Sequence, residues 1–174
     1  ALLTGAARFV DDLQLSGMLH VAFVRSPHAH ARIVGIDASA ARAVPGVVAV
    51  WTIDDLKGAI TQDRVPEGFP KPPPRRDVGP YVLARNEVCY AGEPVVAVLA
   101  EDRYVAEDAA QLVAVDYDPL PAVANCRDGL VANAPSVDTR VGRNLVDEYT
   151  IGHGDPDAAF AAATHVVRSD FLQH

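Results

Sequence analysis

Residues 88–117 read VCYAGEPVVAVLAEDRYVAEDAAQLVAVDY, and this stretch decides the fold. It predicts strand, turn, strand, helix, strand. Pro94 can open a strand but cannot sit within one, and Val95 to Ala100 is an unbroken apolar run of the kind expected of a strand covered on both faces. Asp102 then stands at the N-cap of a helix. Along that helix Val105, Ala109 and Leu112 follow i, i+4, i+7, flanked by Ala106, Ala110 and Val113, with Glu107, Asp108 and Gln111 opposite. The alanines let such a helix lie close on a sheet. Val113 to Tyr117 alternates at period two, which predicts a return to the same sheet, right-handed if the flanking strands are parallel.

Outward from this core, Met18 to Val24 and Arg32 to Ile36 read as strands. Asp37 caps a short helix through Val44, and Val47 to Thr52 follows as a third apolar strand. Arg25-Ser26-Pro27 breaks the first of these strands, and Pro45-Gly46 marks a turn. Two strand–helix–strand units with added hairpins predict an α+β domain of mixed sheet with packed helices. Between Lys57 and Pro80, which hold six of the 13 prolines, the chain reads as a long loop, extended in polyproline II at Pro72-Pro73-Pro74. Pro70 to Arg75 fits a P-x-x-P-x-R pattern for an SH3-type partner, but a plain surface excursion is the favoured reading. Later, Arg127 to Ala132 reads as a short helix, Asn133 to Gly152 as a linker, Asp155 to Ala163 as an alanine-rich helix and His165 to Leu172 as a last strand. The domains expected are 1–133 and 134–174.

Charge and composition exclude several classes. A net charge of −8 and few aromatic residues argue against a nucleic-acid binder. No apolar run reaches membrane-spanning length, and no charged-then-apolar leader opens the chain, so the expectation is a soluble, cytoplasmic protein. Cys89 and Cys126 have no C-x-x-C spacing and encode neither an iron–sulfur cluster nor a zinc knuckle. The first residue is Ala1 rather than Met, which points to a piece of something longer.

Candidate chemistry is sparse. His28 and His30 are two apart, so on an extended segment both rings point to one side, as in H-x-H metal sites. Their spacing from the other histidines closes no coordination shell, and polar loop histidines are the plainer reading. Glu93 is a lone carboxylate in the Gly92-Glu93-Pro94 turn, read as a cap on nearby amides rather than a catalytic base. No phosphate-binding glycine loop and no nucleophile elbow is present. The turn Arg25-Ser26-Pro27-His28-Ala29-His30 joins two apolar strands, and polar loops of this kind carry function more often than the strands beside them. Arg25, Ser26, His28 and His30 are therefore expected to face another domain or subunit.

Leu3-Thr4-Gly5 with Asp11-Asp12, and then the run from Gly17 to Ile33 containing Arg25-Ser26-Pro27-His28-Ala29-His30-Ala31-Arg32, closely resemble the start of the molybdopterin-binding large subunit of molybdenum hydroxylases. This is the xanthine dehydrogenase, aldehyde oxidase and aerobic carbon monoxide dehydrogenase family. Pro45-Gly46-Val47, Asp54-Asp55-Leu56, Gly92-Glu93-Pro94-Val95, Ala109-Ala110 and Val115-Asp116-Tyr117 with Pro119-Leu120-Pro121 continue the series in order. The resemblance covers residues 2–132 and implies an α/β-hammerhead domain. Gly154 to Phe160 and His165-Val166-Val167 resemble the opening of the molybdopterin-binding region. It implies an oxidoreductase in which this part is scaffold and subunit interface. No residue matches the family's catalytic or cofactor motifs, so none is assigned as catalytic, cofactor-binding or metal-binding. Molybdenum–molybdopterin is implied for the full-length subunit. The implied partners are the rest of the large subunit and the iron–sulfur and FAD subunits or domains, with no nucleic acid and no membrane. The alternative is a free-standing hammerhead module used for protein interaction. Substrate is not legible: aldehydes, purines, other heterocycles and carbon monoxide all stay open.

Overall fold

The computed structural model describes residues 2–65, 79–148 and 150–171, with the side chain of Asp11 left aside. The polyproline reading at 72–74 and the P-x-x-P-x-R pattern lie outside the described residues, as does the end of the expected last strand at Leu172. In chain order the elements are β1 (His20–Arg25), β2 (Ala31–Asp37), α1 (Ser39–Arg42), β3 (Val47–Trp51), β4 (Glu87–Val88), β5 (Pro94–Ala100), α2 (Arg103–Gln111), β6 (Ala114–Pro119) and α3 (Pro156–Ala162).

The strands form two small sheets, β1-β5-β3 and β4-β2-β6, and every pairing within them is antiparallel. The expected α+β arrangement of sheet with packed helices is observed; the pairing differs from the mixed sheet expected, since the strands form two antiparallel sheets. The expected return of the α2 crossover to its starting sheet is also corrected: β5 lies in the first sheet and β6 in the second. The reason is pairing. β5 already has β1 on one edge and β3 on the other, so no edge is left for β6, which pairs instead with β2 from Ala31↔Pro119 to Asp37↔Ala114. The β2–α1–β3 unit likewise passes between sheets.

The two-faced burial expected of β5 is observed, since all residues from Val95 to Ala100 are buried. Val95, Val96 and Val98 pack with Val50, Val88, Ala31 and Ala109 in the larger core. Ala97 and Leu99 belong to a second cluster with Ile53 and Leu83, which covers the other side. Val88, Val95, Val96 and Val98 are the largest fully buried side chains, each contributing about 1.5–3 kcal/mol. The turn into β5 depends on Gly92, whose φ of 90° is disfavoured for residues with a Cβ.

Helix α2 begins as predicted. The Asp102 carboxylate accepts hydrogen bonds from the amides of Tyr104 (2.8 Å) and Val105 (3.3 Å). Its buried stripe is displaced by one residue from the expected Val105, Ala109, Leu112: Ala106 and Ala109 are buried, and Ala110 and Val113 pack beside them, again at i, i+3, i+4, i+7. Leu112 is 48% exposed because it is the C-cap, beyond the last helical turn.

Elsewhere the differences are short-range. Asp37 accepts from the Ser39 amide at 2.9 Å, but Ala38 occupies the cap position and α1 ends at Arg42. The expected helix from Arg127 to Ala132 shrinks to one 3-10 turn, Asp128–Leu130. Helix α3 forms as expected behind Asp155, whose carboxylate accepts from the Ala158 amide. The described residues after it, 164–171, form no strand, and Val167 and Phe171 are exposed. No described strand pairs with them, and extended backbone without a ladder partner stays hydrated.

Overpacking the α2 seam should cost about 1–3 kcal/mol, so Ala106→Leu and Ala109→Leu are expected to lower the urea midpoint while Leu112→Ala barely moves it. Equal effects at all three positions would mean that the helix seats on another face.

Candidate functional site

After β1 the chain turns sharply. The Ser26 amide donates to the Glu93 carbonyl at 2.9 Å, and the Ser26 carbonyl accepts from the Gly92 amide at 2.8 Å. The Ser26 hydroxyl accepts from the His28 amide and donates to the His28 carbonyl, both at 3.0 Å. This hydroxyl turn bends residues 26–30, so the extended-chain argument for His28 and His30 does not hold, and the two rings part. His28 is half-buried with its ring edge-on to Tyr117, centroids 5.0 Å apart. His30 is turned inward. Arg25 stays on the surface, where Nη1 donates to the Gly92 carbonyl at 2.9 Å and the guanidinium lies 5.4 Å from the Phe23 ring centre. Of the four candidate interface residues, Ser26 and His30 are thus buried, His28 is half-buried and Arg25 is exposed.

His30 ties three segments together. Its amide carbonyl accepts from Leu120 N at 2.9 Å, and its Nδ1 lies 2.8 Å from the Pro121 carbonyl. A carbonyl only accepts, so the hydrogen-bond network assigns the proton to Nδ1. Nε2 is 3.5 Å from Glu87 Oε2 and has no hydrogen-bond partner among the described residues. Glu87 in turn receives the Thr139 amide at 2.9 Å and the Thr139 hydroxyl at 2.7 Å. Through these bonds the segment after the 3-10 turn at Asp128–Leu130 is held against β4. Asn144 adds to the hold: its side-chain amide donates to the carbonyls of Gly129 and Pro135, and its oxygen accepts from the Val137 amide.

This clamp encloses a concavity of about 630 Å³ whose walls include Tyr81, Tyr90, Glu87, Cys89, Asp138 and Arg140. The arginines Arg64, Arg85 and Arg140 gather around the Tyr81 ring, 4.2, 5.0 and 5.7 Å from its centre. Glu93 lines the same space. It is 3% exposed, and its Oε2 accepts from the Cys89 amide at 2.5 Å, the amide-capping role expected of it. Burial pushes the Glu93 carboxyl above its ordinary value, against the opposing hydrogen bonds from the amides of Cys89 and Tyr90. Burial, with the neighbouring Glu93, Asp138 and Glu87 carboxylates, pushes the Cys89 thiol up to about 12, so it is no nucleophile at neutral pH. Sequence reasoning missed Glu87, Asp138 and Thr139. The i, i+2 spacing of Glu87 and Cys89 is the available signal, because on an extended chain it puts both side chains on one side.

The raised carboxyl of Glu93 has a signed effect on stability. A group whose folded pKa exceeds its unfolded value, here an ordinary 4.5, stabilises the fold below that value and loses this contribution as pH rises through the folded pKa. Glu93→Gln should therefore flatten the decline in melting temperature as pH rises above about 4.5. Parallel profiles for the two proteins would show that burial does not perturb this carboxyl.

The comparisons with known proteins agree with this architecture. Residues 4–121 match the family profile described as "Aldehyde oxidase and xanthine dehydrogenase, a/b hammerhead domain". The chain is 42% identical over 175 residues to the 6-hydroxypseudooxynicotine dehydrogenase complex subunit gamma of Paenarthrobacter nicotinovorans, covering 98% of this chain and 21% of that protein. It is 32% identical over 178 residues to the xanthine dehydrogenase molybdenum-binding subunit of Escherichia coli O157:H7, covering 100% of this chain and 23% of that one. Among solved structures, quinoline 2-oxidoreductase from Pseudomonas putida 86 superposes with a TM-score of 0.75 at 39% identity, covering 97% of this chain and 21% of that chain. The chain thus spans about a fifth of the length of the curated relatives it matches. With two antiparallel sheets bridged by α1 and α2 and a profile match across both, the chain belongs to the α/β-hammerhead family of aldehyde oxidases and xanthine dehydrogenases.

Proposed function

We propose that this chain is the hammerhead portion of the large subunit of a molybdenum hydroxylase-type oxidoreductase, serving as scaffold and interface rather than as the reaction centre. The observation that carries this reading is the family match over residues 4–121 in a chain that spans about a fifth of its relatives, which include a molybdenum-binding subunit. In this reading residues 1–133 are the hammerhead, and 134–174 form a linker and the start of the next domain. Residues 137–144 pack back on β4 through Glu87 and Thr139. The chain beyond them carries an exposed α3 and exposed Ile151, Phe160, Val167 and Phe171, apolar surface suited to burial against further protein.

The turn at Arg25, Ser26, His28 and His30 is the proposed contact with another domain or an iron–sulfur or FAD partner. Ser26 and His30 shape it from within, and Arg25 presents a charge outside. Molybdopterin, implied for the full subunit, is placed in the remainder of that subunit, because no residue here matches the family's cofactor motifs. No described helix is long and apolar enough to cross a membrane.

The purified 174-residue chain should contain no stoichiometric molybdenum and transfer no electrons from aldehyde, purine or carbon monoxide to an artificial acceptor. Bound molybdenum or substrate-dependent turnover by the chain alone would overturn the scaffold reading. In the assembled enzyme, Arg25→Glu should weaken subunit association in size-exclusion chromatography, and unchanged assembly would remove this turn from the interface.

A further inference from the structure

We propose that Arg42 and Asp55 close the free edge of β3: they occupy the backbone positions where another strand would bond, and so keep a second copy of this chain from adding to the sheet. β3 ends the order β1-β5-β3, and no described strand lies on its other side. A groove of about 370 Å³ runs along that side, walled by all five residues from Val47 to Trp51 together with Arg42 and Asp55, and by no described residue of β5. Successive side chains of a strand alternate between faces, so a groove that meets all five lies along the edge.

Such an edge is a hazard. Val47-Val48-Ala49-Val50-Trp51 holds neither charge nor proline, and the Val48 side chain is exposed. Apolar, β-branched runs of this kind, with unpaired N–H and C=O groups along one side, are templates for strand addition. The other described edge strands are blunted from within: β4 is two residues long, β1 ends in Arg25, and β6 carries Asp116, Asp118 and Pro119. For β3 the charge comes from outside the strand.

Arg42, the last residue of α1, donates from Nη2 to the Val50 carbonyl at 3.3 Å. Two residues on, the Thr52 amide donates to Asp55 Oδ2 at 2.7 Å, and the Thr52 hydroxyl donates to the same oxygen at 2.8 Å. Backbone groups of residues two apart turn to the same edge, so Val50 and Thr52 are consecutive bonding positions for an incoming strand. One acceptor and one donor are therefore already engaged, each by a charged group. The bonds from the Thr52 amide and hydroxyl hold the Asp55 carboxyl below its ordinary value, and Arg42 adds to this, so the carboxylate stays ionised at neutral pH. An incoming apolar strand would have to break both bonds and cover two charges. A second copy is the competitor in question, because it brings the same apolar run, and antiparallel pairing of β3 with β3 about a two-fold axis closes a dimer.

The test compares the 174-residue chain with its Arg42→Ala, Asp55→Ala double variant by sedimentation across a roughly hundredfold range of concentration. Trp51, the chain's one tryptophan and the last residue of β3, reports on the same edge through its emission. The variant is expected to reach about twice the wild-type mass, with a blue shift of Trp51 emission that follows the rise. Adding Val48→Lys should return mass and emission to the wild-type values, since a lysine on the strand restores charge at the edge. Should the double variant fail to fold by circular dichroism, Arg42→Ala and Asp55→Ala alone, each of which opens one position, are read in the same way. The proposal is overturned if the variants match the wild type in mass and emission at every concentration, or if their association survives Val48→Lys.

Discussion

The antiparallel pairing of β5 between β1 and β3 is the constraint from which the remaining architecture follows. Its register runs from His20↔Ala100 to Arg25↔Pro94 on one side and from Val47↔Ala100 to Trp51↔Ala97 on the other. With both edges used, the strand's side chains are also sealed on both faces, by α2 and the second sheet on one and by Ile53 and Leu83 on the other. A strand saturated in this way cannot accept β6. The chain leaving α2 must build elsewhere, and β6 completes a second sheet on β2. The two-sheet arrangement is thus a consequence of the centre being full.

The second sheet then supports the polar clamp. β2 begins at Ala31, directly after His30, and its pairing with β6 brings Pro119 opposite Ala31. That register carries Pro121 to His30 Nδ1. On the other edge of β2, β4 is only two residues long, and it brings Glu87 to Nε2. A buried imidazole bonded on one nitrogen and facing a carboxylate with the other is costly unless its neighbours are held in place. Thr139 and Asn144 supply that restraint by closing the strap from Val137 to Asn144 over β4. The same closure creates the concavity beside Cys89 and Asp138, so its donor atoms exist as a group only because both sheets are assembled.

Much of the local structure is legible in single residues. Pro94 marks the first residue of β5, Asp102 caps α2 and Asp155 caps α3, because a ring or a short carboxylate acts on backbone groups within a few residues. The displaced seam of α2 marks where such reasoning stops. Periodicity allowed both the Val105–Ala109–Leu112 and the Ala106–Ala109–Val113 stripes, and the choice fell to whichever face let alanine, rather than a larger side chain, meet the sheet. The ordered motifs from Leu3 to Pro121 also revealed the family, since their order and spacing survive in the linear chain.

By itself, then, the sequence determined that β1, β2, β3, β5 and β6 extend, that α2 and α3 coil, where Glu93 caps its turn, and that Val95 to Ala100 is interior. Tertiary structure alone decided which strands share a sheet, that His28 and His30 part company, and that Glu87 meets Thr139 across 52 residues. The physical reason is range. Capping, turn formation and hydrophobic period act within a few residues, whereas strand pairing and the convergence of Glu87, Cys89 and Asp138 depend on which edges remain free once the centre has filled.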